Sequence, residues 1–161
     1  MSILAIDPGT VQSAWLELGL YGRPTPNRAK QGNDDVLAML WANRFGFVQR
    51  VVIESVESYG MPVGREIFRT VFWAGRFAEA ARPLPVYLLS RGAVKLHLCG
   101  STRAKDPNVR RALLDRFGGE DAAVGRKDEP GVLYGIHGDL WAALAVAVTL
   151  YDEPSLAELV L

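Results

Sequence analysis

The chain opens on Ile3-Leu4-Ala5-Ile6, an unbroken apolar run that ends on Asp7 and is stopped by Pro8-Gly9. Such a run is the pattern of a strand buried on both faces, and a Pro-Gly pair directly after it ends the ladder and forces a turn. A carboxylate that points into a core without a partner is costly, so an acid at this exit belongs at the end of the sheet, where a hard cation can hold it ionised. A turn-forming Asp that caps its own Pro-Gly bend is the other reading of the same residues. Whether other acids reach the same place separates the two.

Further along, Ser13 to Leu20 alternates loosely and pairs as a second strand, and Gly22 to Gly32 is either a third edge strand or a loop. Asn33 is placed to cap a helix with Val36, Leu37, Leu40 and Trp41 on one stripe. Val51-Val52-Ile53 is a second doubly buried strand, and it too ends on an acid, Glu54. Residues 65–81 have helical spacing, Val86 to Leu89 reads as a third buried strand, and a short helix follows near Ala93 to Leu98. Asp106-Pro107 supplies an N-cap and a first-turn proline for a helix running to about Phe117. Glu120 to Gly135 reads as a polar loop, and Leu140 to Tyr151 as an almost wholly apolar, buried helix. Hairpin-paired strands followed by strands interleaved with helices describe an α/β layer structure, with a central mixed five-stranded sheet flanked by helices in one domain spanning 1–161.

Composition narrows the chemistry. The single Cys99 excludes a disulfide framework and a cysteine-based zinc site, and beside Leu98 it reads as a core filler. No basic leader or bilayer-length apolar stretch is present, which points to a soluble protein in a reducing, cytoplasmic compartment. Net charge is zero, but eight basic residues against two acids lie between Arg82 and Arg116, and four acids with no base follow from Asp139 onward. This segregation predicts a basic surface beside an acidic pocket.

Sites in open α/β sheets form at the carboxyl ends of strands, where Asp7 and Glu54 both stand. Asp139 opens the buried helix, with Gly135 and Gly138 ahead of it to allow close approach. Each acid also has an ordinary reading: Asp139 as a helix cap, Glu54 as the partner of one of the arginines. Clustered carboxylates repel, and a divalent oxygen-seeking ion is the usual remedy. A strand-end Asp and Glu with a helix-start Asp is the set that two-metal phosphodiester hydrolysis needs.

Ile-Leu-Ala-Ile-Asp-Pro-Gly-Thr (3–10) resembles the opening of RuvC-type Holliday junction resolvases, which have the RNase H-like fold. Ile53-Glu54 matches their second acidic strand end, Ala104-Lys105 with Val109 is similar to a basic stretch of that family, and 141–147 resembles its final helix. Residues 59–64 and 73–77 look more like bacteriophage versions, which places the chain in a bacterial host cytoplasm. The resemblance implies a homodimeric, Mg²⁺- or Mn²⁺-dependent crossover junction endonuclease, two ions per site, with no organic cofactor and no membrane. It assigns metal-ligand and catalytic roles to Asp7, Glu54 and Asp139. The family's last helix offers two ligands three residues apart, and here the second position is Ala142. His137 is the first replacement to consider and Glu57 the second. An RNA nuclease like YqgF, which shares the Asp-Pro-Gly-Thr motif, is one rival reading, and a weakly catalytic junction-binding protein is another.

Affinity for branched DNA comes mostly from phosphate neutralisation. Arg91, Lys95, Arg103, Lys105, Arg110 and Arg111 are the expected contacts, although Arg110 and Arg111 are adjacent on one helix and cannot face one groove equally. Tyr59, five residues past Glu54 in a Gly/Pro loop, either stacks on an unpaired base or anchors its own loop. The Trp73-to-Phe77 stripe is read as a core or dimer face.

Overall fold

The structure is a computed structural model that describes residues 1–45, 47–58 and 60–161. Its sheet is built on the two apolar runs that end in acids. β1 (Ile3–Asp7) and β4 (Arg50–Ser55) lie side by side and parallel, with β5 (Val86–Ser90) parallel on the far side of β4. β2 (Gln12–Leu18) and β3 (Pro24–Gly32) continue the sheet antiparallel from β1, so the polar, proline-containing segment left open by the sequence is an edge strand. Edge strands tolerate proline because one side needs no ladder donor. A sixth strand, β6 (Glu158–Leu159), pairs antiparallel with β5 and completes the order β3-β2-β1-β4-β5-β6. The sheet therefore has six strands where five were expected, because two residues are too few to carry a readable alternation.

Both faces of the sheet are covered. Alternate residues Ile3, Ala5, Ala14, Leu16 and Val52 face α6 (Leu140–Asp152), with α3 (Arg91–Cys99) and α4 (Asp106–Arg116) on the same side. Leu4, Ile6, Trp15, Val51 and Ile53 face α1 (Asn33–Trp41) and α2 (Arg65–Ala80). α6 is apolar around its circumference and packs on β1 and β2, which is why its residues from Ala143 to Leu150 are all buried. Among the described residues no helix is long and apolar enough to cross a membrane.

Three local expectations give way. Asn33 does not cap α1: Gly32 holds that position, and the buried Asn33 donates to the Gly9 carbonyl (2.9 Å) and accepts from Ser13 Oγ (2.6 Å). A buried amide must be satisfied, and here it ties down the turn immediately after Asp7. Gly9 is required in that turn, since a Cβ there would lie 2.2 Å from the Gln12 carbonyl oxygen. Trp41 leaves the apolar stripe of α1 and is 69% exposed, because the helix ends at that residue. The polar loop contains α5 (Glu120–Val124), a single turn seated by the buried Ala123. In α2, Phe77 is buried and Trp73 packs against the core, while Phe68, Val71 and Phe72 lie open on the opposite side. Cys99 is a half-buried free thiol packed against the core.

Candidate active site

Register brings the first two acids together. Ile6 pairs with Ile53 across the parallel β1–β4 ladder, so the next residues on each strand, Asp7 and Glu54, are neighbours at the carboxyl end of the sheet. Both fall on the α6 side by the two-residue period of a strand, following Ala5 and Val52. Asp139 occupies the N-cap position of α6, which covers that side of the sheet. Gly138 before it has φ of +52°, a left-handed turn that glycine makes without strain. Asp7, Glu54 and Asp139 line one cavity of about 120 Å³. Arg91, Lys95, Asp106 and Arg110 complete its polar wall, and Val94, Val109, Gly138, Trp141, Ala142 and Ala145 its remainder. The two alanines project too little to fill it.

Two of the acids carry a counter-charge from within the chain. Lys30 Nζ lies 2.6 Å from Asp139 Oδ2, and Arg91 bridges Glu54 Oε1 (3.0 Å) and Asp106 Oδ1 (2.7 Å) through separate nitrogens. Among the described residues Asp7 has no ion-pair partner. Burial, reinforced by the charges of Glu54 and Asp139, pushes its carboxyl up to about 8. Burial also raises Glu54, with Arg91 pulling the other way. Burial works against the charge of Arg91, but Glu54 and Asp106 override it and hold the guanidinium above its usual range. The hydrogen bond and charge of Asp139 raise Lys30 in the same way.

The donor set suits a hard, oxygen-seeking divalent cation: carboxylates on one cavity wall, with Asp7, the acid at the end of the central strand, lacking a salt-bridge partner among the described residues. Among the described residues, no three His, Cys, Asp or Glu side chains stand close enough together to form a ready-made metal cage. Lys30 and Arg91 hold two of the three acids instead, so uptake of an ion requires those contacts to be exchanged.

Of the remaining residues singled out in the sequence, Arg91, Lys95 and Arg110 line the cavity, and Arg110 stacks its guanidinium over Trp141 at 5.1 Å. Lys105 stands exposed at the N-cap of α4, and Arg103 is exposed in the turn before it. Arg111 is turned to Asp115 (3.1 Å) and does not reach the cavity, as the 100° step from Arg110 on a helix requires. His137 is not part of the cavity wall: it is exposed, with Nδ1 2.8 Å from the Gly135 carbonyl oxygen. Glu57 is exposed in the loop after β4 and likewise does not line the cavity. Tyr59 lies outside the described residues.

Sequence reasoning missed Lys30, Asp106 and Trp141. The sequence predicts Asp106 as the cap of α4, but Lys105 holds that position and the Asp106 carboxylate reaches Arg91. The signal for Lys30 was the strand pairing itself. Asp7 pairs with Ala14 and Ala14 with Lys30, which puts all three on one face in a row across three strands.

The strand order, the helices on both faces and the acids at the strand ends define an α/β protein with the RNase H-like fold. The particular fold is that of RuvC. The Thermus thermophilus RuvC structure matches it with a TM-score of 0.71 at 20% identity, over 99% of this chain and 100% of that one. The structure of T. thermophilus RuvC in complex with Holliday junction substrate matches equally, with a TM-score of 0.71 at 21% identity over 99% of each chain. No family model and no curated protein matches this chain by sequence.

Proposed function

We propose that this chain is a divalent-metal-dependent endonuclease that resolves four-way DNA junctions and related branched DNA as a homodimer. The observation that carries this reading is the convergence of Asp7, Glu54 and Asp139 on one cavity at the carboxyl ends of β1 and β4, in a chain with the RuvC fold. The junction-bound T. thermophilus RuvC supports branched DNA as the substrate.

Asp7, Glu54 and Asp139 are the residues that would hold the ions. Bound Mg²⁺ or Mn²⁺ supplies activation of the attacking water and charge stabilisation at the leaving oxygen. Asp7, at the end of a central strand and followed by a turn tied down by the Gly9–Ser13–Asn33 hydrogen bonds, would be the carboxylate shared by the ions. Lys95 and Arg110 give the cavity wall cationic groups for the phosphates of the bound strand, and Arg103 and Lys105 extend that charge outward. Tyr59 is assigned to the branch point. The open apolar side of α2, with Phe68 and Phe72 at 64% and 62% exposure, is assigned to the dimer contact.

The test is a synthetic four-way junction incubated with the protein in Mg²⁺ or Mn²⁺, beside a linear duplex of the same sequence. Cleavage confined to the junction is expected, and equal cutting of RNA without junction preference would favour a YqgF-like nuclease instead. Ala142 on the cavity wall favours a second reading, a weakly catalytic junction-binding protein. Such a protein would retain the junction uncut across a full titration of both metals.

A further inference from the structure

Lys30 and Arg91 neutralise the site differently. Arg91 has two acids, so it keeps Asp106 if Glu54 turns to another cation. Lys30 has one, Asp139. It reaches that acid because the residue between it and Asp7 in the cross-strand row is Ala14, whose methyl leaves room for a long side chain to pass over the sheet.

The Lys30–Asp139 pair is not needed to place Asp139. Two residues earlier on the same face of β3, Arg28 donates to the Thr25 carbonyl (3.0 Å) and to the Tyr134 carbonyl (2.5 Å). That guanidinium already anchors the segment leading to Asp139 on the edge strand. Both members of the Lys30 pair are about half exposed, 46% and 52%, where an ion pair contributes little to stability. A lysine on the edge strand that holds a half-exposed acid of the cavity, with a second cation doing the anchoring, calls for a role in what enters the site.

We propose that Lys30 is a substrate-phosphate ligand held in reserve by Asp139: when Asp139 turns to a divalent cation, the released ammonium takes a phosphate oxygen of the nucleic acid entering the cavity. The proposal rests on the metal-dependent nuclease function proposed for the same cavity. No bond is made or broken; one cation replaces another on Asp139, and Lys30 moves from a carboxylate to a phosphate. The arrangement makes metal uptake and phosphate binding mutually supporting, since each removes a competitor of the other.

The experiment compares the full wild-type chain with Lys30→Met and Lys30→Arg. Mn²⁺ binding without DNA is measured by calorimetry, and the salt dependence of four-way junction binding is measured in chelator and in Ca²⁺. Lys30→Met should bind Mn²⁺ tighter, by up to about five-fold, because its competitor on Asp139 is gone. In chelator the two proteins should share one salt slope. In Ca²⁺ the wild-type log–log slope should exceed that of Lys30→Met by about 0.9, one phosphate contact, and Lys30→Arg should retain the wild-type slope. Weaker Mn²⁺ binding by Lys30→Met, or equal slopes in Ca²⁺, would overturn the role of Lys30 while leaving the nuclease function standing. A wild-type chain that takes up no divalent ion would overturn both.

Discussion

Arg91 donates from Nη1 to Glu54 Oε1 at 3.0 Å, and it does so from the first residue of α3. A positive charge in the first turn of a helix opposes the helix dipole, so the guanidinium is there for its acids rather than for its helix. Ser90 caps that helix by accepting from the Ala93 amide, leaving the Arg91 side chain free to span the mouth of the cavity between Glu54 and Asp106.

Arg91→Ala should therefore destabilise the metal-free protein by about 1–3 kcal/mol, because the buried Glu54 loses its charged hydrogen-bond donor. Mn²⁺ should raise the thermal midpoint of the variant more than that of the wild type. Equal metal-induced shifts would mean that Arg91 does not compete for the Glu54 carboxylate.

Asp7→Asn should lower junction cleavage by more than about 100-fold, since changing only the partners of a metal ligand already costs about 10–100-fold. Junction binding should persist or tighten, since a negative charge leaves the neighbourhood of the phosphates. Single-turnover cleavage and gel-shift titration on one junction check the two halves, and near-wild-type cutting would dismiss Asp7 as a ligand.

Lys95→Ala, Arg110→Ala and Lys105→Ala should each weaken binding to every DNA sequence alike and flatten the log–log salt slope by about 0.9. Arg111→Ala should change the slope far less, because that guanidinium is engaged by Asp115 away from the cavity. Salt titrations of the four variants order the basic segment by its distance from the acids.

Ala142 and Asp139 are three residues apart at the start of α6, both on the cavity wall. Mg²⁺ demands near-octahedral oxygen geometry, so a site short of one carboxylate should cut faster with Mn²⁺ than with Mg²⁺. Ala142→Asp should narrow that difference. His137→Ala should leave the metal preference within about two-fold, well below the 10–100-fold loss that follows from disturbing a metal ligand's partners, as its ring contacts the Gly135 carbonyl outside the cavity. Metal titrations of the cleavage rate decide both.

Asp152 ties α6 to α3 and α4 through His97 (3.1 Å) and the Arg116 fork (2.5 and 2.7 Å). Burial opposes its ionisation, but Arg116 and His97 prevail and hold the carboxyl below its ordinary 3.8. A depressed folded value contributes stability that is present above the unfolded value and is lost as pH falls through the folded one. Asp152→Asn should thus cost about 1 kcal/mol at pH 7, and the gap from the wild type should begin to narrow as pH falls below about 4. Urea unfolding at several pH values measures it, and a gap that stays constant as pH falls from about 5 through the acid range would assign the effect to packing instead.

The parallel core of this protein was legible because doubly buried strands are short, apolar and sharply ended. Ile3–Ile6 and Val51–Ile53 announced themselves, and with them the two acids at their exits. The long apolar helix at the end of the chain was equally plain. β6 and α5 were not, because two residues and one turn are shorter than the periods that reveal them. Asn33 departs from its expected role because its type suits a helix cap as well as it suits a buried bridge from the start of α1 to β2 and the turn before it, and only the closed hairpin distinguishes them.

Local sequence alone determined that three acids stand at the ends of buried elements, since burial pattern and chain-ending residues are properties of neighbours in the chain. Whether those acids meet, and what neutralises them, depended on strand order and register, which are long-range pairings. Lys30 lies 109 positions from Asp139, and Asp106 lies 52 from Glu54. Nothing in either segment marks the other, and only the ladder that sets Lys30 opposite Ala14 and Ala14 opposite Asp7 carries that cation to the site. His137 shows the converse. It is two residues from Asp139 in the chain and outside the cavity in space, because the turn at Gly138 sends the two side chains different ways.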